Sequence, residues 1–592
     1  MSRFCRQLCR WARLAAVSAG ALTCLAVQAA PSVSGQIVDL NGNPLSQAMV
    51  TLEKGAGQPG PAAITVFSDD KGHFQFPVPG VQGARTPIVK LLGYKTVDTI
   101  SKPSGEALDL TVIMHPDPNE AGVAPASAWL KDIADPNDRT LLVQTCVGCH
   151  QIPAPEVRAY ANLIHDMPDV DPVEARENSW RAIVQYMNYI SAWEFGRGGD
   201  APPPNADNVY SGGPLASTTA LLARTMLGSF REVSGYQYGA PVLANAHTVI
   251  REYDVPRPNA VREALTLDDP TVIWLADVSA NRVIRVDTVT GATRSLEVPS
   301  ARLMGPHTLV RDKEGGLWIT PFFNGIVARL DPKTEHWKTW GLEVPKLGPV
   351  GVHDLSFDLN HDVLTDRAGR IWYSEIIHNG VGWFDPKSGK SQVYPIPPVP
   401  GRVGTELPYG LAMSSDRRHI WYSQLAIGCI GSFDIDSRKF DTLIELPDKN
   451  AGPRRITMSD GDILYVPLYG AGQLIEYDTR AHQMIGRYDL PDRASAPYSV
   501  TWDAKRKVVW VVTANANAIY RFDPRDKSFA VLPLPREGAF LRMVGIDKTT
   551  GALITTYGNI VEYVHGPRMA VMIDPGDAPA AGTGHTAAAS AH

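Results

Sequence analysis

Cys146-Val147-Gly148-Cys149-His150 carries the most specific chemistry in this sequence. Cys-x-x-Cys-His is the spacing of covalent haem attachment. Two thiols a turn apart reach the two vinyl groups of one porphyrin, and the imidazole that follows lies where it can ligate the iron. A lone disulfide or a thiol redox pair would use the same cysteines. A thioredoxin-like pair, however, calls for a surrounding βαβ pattern, which is missing. Zinc would need a second ligand pair at finger spacing, and none follows. Of the six cysteines, Cys5, Cys9 and Cys24 lie near the start, leaving Cys146, Cys149 and Cys429. That is no disulfide scaffold.

A second set of residues recurs at regular spacing. Arg262, His307, Tyr409, Arg454, Tyr498 and Arg542 each stand 11 or 12 residues before Trp274, Trp318, Trp421, Tyr465, Trp510 or Leu553, and His353 stands 19 before Trp372. Equivalent positions in a repeat form a ring, here of three arginines, two histidines and two tyrosines. Arginines in such a ring favour an anionic ligand, although a wet channel mouth tolerates polar side chains without any ligand. Asp277, Glu375 and Gln424 each follow their tryptophan by three residues, with His378 and Asn379 close behind Glu375. His361 and Asp362 fall in the connection on the opposite face and do not join His353.

The elements that must position these residues are legible as four regions. Arg3, Arg6, Arg10 and Arg13, the apolar run from Leu14 to Val27, and the ending Val27-Gln28-Ala29 form a secretory signal over residues 1–29. Its removal takes the formal charge from −6 to −10, since four arginines and no acids are lost. That acidic balance argues against a nucleic-acid partner. No later run is long and apolar enough to span a bilayer, so no membrane span is expected and the periplasm is the expected location. Residues 31–116 alternate with period two between turns such as Asn41-Gly42-Asn43-Pro44, which predicts a small β-sandwich. Residues 120–198 switch to helical periodicity, with Trp180, Ile183, Val184, Met187 and Ile190 on one face. Residues 199–245 open on Pro202-Pro203-Pro204 and read as a linker, wrapped on a neighbour.

Residues 246–573 repeat. The markers recur about every 45 residues, and most are followed by a strand ending in a hydrophobic-Asp pair: Val286-Asp287, Leu330-Asp331, Phe384-Asp385, Phe433-Asp434, Tyr477-Asp478 and Phe522-Asp523. Several short strands per unit at this period predict a seven-bladed β-propeller. Arg251-Glu252-Tyr253-Asp254-Val255-Pro256 reads as an orphan closing strand for the last blade. The Ala- and Gly-rich tail, 574–592, is expected to be disordered. The fold class is therefore multidomain and mainly β: an N-terminal sandwich, a small α-helical module and a seven-bladed propeller.

Three resemblances follow from these residues. The first region resembles the carboxypeptidase regulatory-like domain, which implies an accessory module. The helical region resembles a class I cytochrome c domain, which implies one covalent haem c on Cys146 and Cys149, with His150 as one iron ligand. The same resemblance implies a methionine in the loop before the last helix as the other ligand, namely Met167 in His165-Asp166-Met167-Pro168, with His165 next; for Met187 a core role suffices. The repeats resemble the streptogramin B (virginiamycin B) lyase family in Gly305-Pro306-His307, Leu317-Trp318-Ile319-Thr320, Ile371-Trp372-Tyr373-Ser374-Glu375 and Gly380-Val381-Gly382. That implies magnesium held by His307, His353 and Glu375, although Gly351 stands where the family has a second glutamate. Three functions are expected in turn. The first is a redox haem protein with a redox partner protein and a small anionic substrate bound by Arg262, Tyr409, Arg454, Tyr498 and Arg542. The second is a magnesium-dependent lyase or hydrolase, and the third is a recognition protein without catalysis.

Overall fold

The computed structural model describes residues 33–576 except 78–85, 105–106, 119–121, 168–171, 195–214, 227–229, 234, 258, 301–304, 322–324, 346–347, 358–361, 403–406 and 560–565. The secretory signal, Pro202 to Pro204, His361 and nearly all of the tail lie outside the described residues, as does the side chain of Ile190. Among the described residues the protein is mainly β with four α-helices.

Seven four-stranded units repeat from residue 249 to 574, and their local chemistry explains the sequence period. In blades 1 to 6 the Asp at the end of the third strand caps the hairpin to the fourth. Asp287 accepts from the backbone N–H of Thr290 at 2.8 Å, Asp434 from Asp436 at 2.9 Å, Asp478 from Arg480 at 2.9 Å and Asp523 from Arg525 at 3.0 Å. Such side-chain-to-backbone bonds fix a tight turn. The tryptophan of the second strand is anchored from the turn before it. Trp318 and Trp372 donate to Asp312 and Asp366 at 2.9 Å, and Trp510 donates to Asp503 at 3.1 Å. The repeat is thus two hairpins pinned by carboxylates, with the indole packed between neighbouring blades.

The strand Val249–Asp254 takes the place of the orphan closing strand. It pairs antiparallel with Arg568–Asp574 as the outer strand of blade 7, Ile250 opposite Ile573. Its other edge pairs with Ala63–Phe67 of the N-terminal region, Ile250 opposite Thr65. One sheet of the sandwich therefore continues into blade 7, and seven strands run unbroken across the two. The opposing sheet contains Val33–Asp39, His73–Gln75, Tyr94–Ser104 and Ala107–Pro116. Between the sheets Ile37, Val50, Leu52, Val66, Phe74 and Val112 form the core. Pairing to a propeller strand covers a sheet edge that would otherwise be a template for aggregation.

Four helices bridge the rest: α1 (Pro136–Cys146), α2 (Pro155–His165), α3 (Pro172–Glu194) and α4 (Leu215–Thr225). Asp135 caps α1 by accepting from Asn137 at 2.8 Å, with Pro136 at the first position. The helices share one apolar cluster with blades 6 and 7. Leu142, Val143, Trp180, Val184, Leu221 and Leu222 meet Tyr498, Trp510, Phe540 and Ile573 there. The expectation of a linker over 199–245 is corrected at α4, which carries buried Leu221 and Leu222 and clasps α1 through Arg224 and Asp138 at 2.7 Å. Pro and Gly ahead of this helix hid its apolar face. Residues 241–243 then join blade 6, Leu243 donating to Val531 at 2.7 Å and Val531 to Pro241 at 2.9 Å.

Ile250 is fully buried where sandwich and propeller share a sheet. Ile250→Ala is expected to cost about 2–5 kcal/mol. Denaturant unfolding followed by far- and near-ultraviolet circular dichroism should show a lower midpoint in one common transition; two separate transitions would show that the shared sheet does not couple the parts.

Candidate functional site

The seven ring positions converge at one end of the central channel. Six are buried: Arg262, His307, His353, Arg454, Tyr498 and Arg542. Tyr409 is half-buried among them. The His307 and His353 rings lie 4.5 Å apart between centroids, and His353 and Tyr409 lie 3.7 Å apart. The Tyr409 and Tyr498 hydroxyls are hydrogen-bonded to each other. Arg454 lies against three aromatic faces, 3.6 Å from the Tyr469 centroid, 4.5 Å from Tyr498 and 5.5 Å from Tyr409. Arg542 donates to the Tyr498 hydroxyl at 2.9 Å.

A backbone device doubles this ring. In blades 1 to 4 the innermost strand bulges at the ring position, so that two residues oppose one on the second strand. His307 and Thr308 oppose Thr320, and His353 and Asp354 oppose Ser374. The opposed hydroxyl closes the bulge: Thr320 accepts from Thr308 N–H at 3.0 Å, Ser374 from Asp354 at 3.0 Å and Ser423 from Gly410 at 2.9 Å. Because of the bulge, the residue after the ring position in these blades also faces the channel, one layer deeper, where Arg455 of blade 5 meets it. Arg455 there pairs with Glu263 and, at 2.9 Å, with Asp354, and donates to Thr308 at 2.6 Å. The Thr308 hydroxyl has one proton to donate, with a Glu263 oxygen at 3.0 Å and the His353 carbonyl at 2.8 Å as its acceptors. Sequence reading missed Glu263, Thr308, Asp354 and Arg455. Their signal was present as a polar residue after five of the seven ring positions, with Ser or Thr two residues past the tryptophan in blades 2 to 4.

Electrostatics separate the two layers. Burial, with Arg455 and Arg262 nearby, holds His307 and His353 well below the usual imidazole range, so both are neutral. Burial pushes Asp354 up to about 7 despite Arg455. Burial alone would raise Tyr498 as well, but Arg542, Arg454, Arg262 and Arg455 outweigh it and bring that phenol down to about 7. Burial and the neighbouring Arg542 lower Arg262 to about 10. The Nε of Arg454 and the Nε2 of His353 are buried with no hydrogen-bond partner among the described residues.

The Cys146–His150 loop is bound to this mouth. Tyr469 donates its hydroxyl to the Val147 carbonyl, and Arg542 donates to the Gly148 carbonyl at 2.9 Å. Cys149 is near enough to Arg262 to act on it electrostatically. Beyond the motif, Gln151 donates to Asn517 at 2.8 Å and to the Ala539 carbonyl at 3.0 Å, while Asn515 accepts from Ile152 N–H at 2.8 Å. His150 is buried, and its Nδ1 meets the Gln151 carbonyl at 2.7 Å. A carbonyl only accepts, so Nδ1 carries the proton and Nε2 keeps its lone pair. Burial lowers the His150 pKa and favours this neutral form. Burial also pushes the Cys146 thiol up to about 12, the reverse of what a reactive redox thiolate needs. These residues fit a haem held by two thioethers and one imidazole.

The other candidates are placed differently. Met167 is 53% exposed just past α2, and His165 is exposed at the helix end, so both stay on the surface; Met187 is half-buried on α3. Glu375 is buried, but its oxygens accept from Gly351 N–H at 2.8 Å, Ile377 at 3.1 Å and His378 at 2.5 Å. It closes the blade 3 turn, as Asp277 does in blade 1 by accepting from Ala260 at 2.9 Å. Glu375, which the resemblance offers as a magnesium ligand, thus has both oxygens engaged by the backbone of the turn it closes. His307 and His353 sit among arginines, and among the described residues the only three-ligand group is His419, Asp434 and Asp441 on the outer strands of blade 4. His307 and His353 offer nitrogen donors, whereas magnesium is a hard cation that prefers oxygen.

Comparison with known proteins gives the class of the two β regions. Residues 32–115 match the carboxypeptidase regulatory-like domain, and residues 261–498 match the SMP-30/gluconolactonase/LRE-like region. The two β regions are thus similar, one to the carboxypeptidase regulatory-like domain and the other to the SMP-30/gluconolactonase/LRE-like region. Solved structures similar to it include a streptogramin B lyase (18% identity, 55% of this chain and 97% of that one, TM-score 0.45). Virginiamycin B lyase from Staphylococcus aureus follows at 17% identity, 55% and 99% coverage and TM-score 0.44. The Cps50 (Swd1) propeller domain from Myceliophteria thermophila follows at 11% identity, 55% and 99% coverage and TM-score 0.42. No curated protein matches.

Arg455 is the cation of the deeper layer, so Arg455→Met leaves Glu263 and Asp354 buried without it and should cost about 3–5 kcal/mol. Adding Glu263→Gln and Asp354→Asn should restore part of that loss in chemical denaturation; no recovery would show that the carboxylates are not what suffers. The histidines give a pH signature. Since the folded protein refuses protons that the unfolded chain accepts near pH 6.5, stability falls as pH drops below about 6.5. The fall should be shallower in His353→Asn, and equal slopes would place the acid sensitivity elsewhere.

Proposed function

We propose that this is an exported, periplasmic c-type haem protein of redox or electron-transfer function. The propeller mouth binds a small anionic substrate or partner group, and a single haem, attached through Cys146 and Cys149 with His150 as an iron ligand, relays electrons to a redox partner protein. The observation that carries this reading is the seat of the motif. The loop that would hold the haem is hydrogen-bonded by the ring residue Arg542 and by Tyr469, and its Cys149 borders Arg262. A haem and an anion bound by the ring would be neighbours by construction, as short-range electron transfer requires.

Within this reading the haem supplies one-electron transfer at its iron. The chain's own residues do the rest. The Gln151 carbonyl holds the His150 proton at Nδ1 and so leaves the lone pair on Nε2. Arg262, Arg454 and Arg542 orient an anion and stabilise its charge away from water, while Tyr409 and Tyr498 offer hydrogen bonds. Met167 is the sequence's candidate for the second iron ligand.

A magnesium-dependent lyase or hydrolase is the second reading. It is favoured by the family match over residues 261–498 and by the adjacent His307 and His353. The orientation of Glu375 and the surrounding guanidiniums weigh against it.

A pyridine haemochrome spectrum of periplasm-matured protein should show one c-type haem per chain, and Cys146→Ala with Cys149→Ala should remove the covalent attachment. Wild-type protein without the spectrum would end the haem reading. Turnover that survives Cys146→Ala but is abolished by a chelator would favour the lyase.

A further inference from the structure

The two residues between the cysteines, Val147 and Gly148, both give their carbonyl oxygens to propeller side chains. Val147 accepts from the Tyr469 hydroxyl of blade 5, and Gly148 accepts from Arg542 of blade 7 at 2.9 Å. The clamp continues on the other side of His150, where Gln151 donates to Asn517 and to the Ala539 carbonyl, and Ile152 donates to Asn515 of blade 6. His150 is thus fastened to the propeller both before and after its own peptide. An iron bound at its Nε2 is fastened with it.

Of the propeller residues in this clamp, Tyr469, Asn515, Asn517, Ala539 and Arg542, only Arg542 carries a charge. It is 3% exposed and held in three directions. Its Nη2 donates to the Gly148 carbonyl at 2.9 Å, its Nη1 to the Tyr498 hydroxyl at 2.9 Å and its Nε to the Gly558 carbonyl at 3.3 Å, while Phe540 lies 4.5 Å from it by ring centroid. A planar fork cannot turn from one partner without leaving the others, and an arginine keeps its charge at every working pH. A fixed positive charge therefore stands one hydrogen bond from the loop that carries both thiols. Charges held away from water act more strongly than exposed ones. A cation near an iron that gains positive charge on oxidation favours the reduced form.

We propose that Arg542 is the positioning residue through which the propeller sets the haem: it fixes the attachment loop by the Gly148 carbonyl, and its permanent charge holds the haem's potential up. The proposal rests on the haem reading above and adds the residue that joins ring to haem. Because one rigid fork spans the Tyr498 hydroxyl and the Gly148 carbonyl, displacement at the ring is displacement at the loop. No bond is made or broken; one electron enters or leaves the iron, and Arg542 stays protonated throughout.

The test is the midpoint potential of full-length, haem-loaded protein, read from its visible absorbance at fixed applied potentials. Arg542→Gln removes the charge and keeps an amide donor, so the equilibrium constant for haem reduction should fall about tenfold, a lowering of about 59 mV for one electron. Arg542→Lys keeps the charge and should stay within about threefold of wild type. Arg294, on the outer strand of blade 1 with its side chain 61% exposed, is the distant control, and Arg294→Gln should leave the potential where it is. An unmoved potential in Arg542→Gln overturns the proposal, and so does a tenfold fall in Arg542→Lys, because the charge would then not set the potential. Should Arg542→Gln fail to mature, Asn517→Asp places a negative charge on the same clamp and keeps the oxygen that accepts from Gln151. It should move the potential downward as well, and no movement there overturns the proposal. Each sample is first checked for its haemochrome band. A band with an unmoved potential rejects this inference alone, whereas wild-type protein with no band rejects the haem reading.

Discussion

Burying guanidinium groups in the channel is the constraint from which the rest of this structure follows. A charge removed from water must be met by an opposite charge or by fixed dipoles. Each layer of the channel meets it differently. The deeper layer uses carboxylates, Glu263 and Asp354 around Arg455, tied together by Thr308. The outer layer uses tyrosine faces, backbone carbonyls and a phenol oxygen. The first is self-satisfied and serves the fold; the second leaves the Nε of Arg454 without a partner among the described residues.

The helical region depends on the same constraint. One of the carbonyls that answers Arg542 belongs to Gly148, inside the Cys-x-x-Cys-His loop. The loop is therefore part of the mouth's polar balance, and its position is set by blades 5 to 7 through Tyr469, Asn515, Asn517 and Arg542. The apolar cluster beneath secures it, since Leu142, Val143 and Trp180 pack with Tyr498 and Phe540. The sandwich is joined just as firmly at the far side, through the strand Val249–Asp254 that belongs to both sheets. A module that looked accessory is built into the closure of the ring.

Local periodic signals carried the architecture into view. Blade number, the closing strand, the ring register and the haem-attachment motif are each written in residues close together in the chain: a Trp with its Asp, a hydrophobic-Asp pair, a proline after a short strand. The site was legible to the same extent. All seven ring positions could be aligned because each has a fixed distance to its own marker, and only blade 3, with its longer connection, departs from it. Glu375 misled for an instructive reason. A Glu three residues past a tryptophan reads as a functional acid, yet the blade turn there offers three backbone N–H groups in reach of its oxygens.

By itself the sequence determined which side chains form the outer ring of the channel and which cysteines and histidine have the haem-attachment spacing, because strand alternation, turn chemistry and a five-residue spacing act over a few residues. Tertiary structure alone decided that Arg455 pairs with Glu263 and Asp354, that Tyr498 meets Arg542, and that Gly148 sits under a guanidinium 394 residues away. Those contacts join distant blades and the helical region. They depend on where ring closure and a bulge bring each strand's end, and no local pattern encodes a distance across a channel.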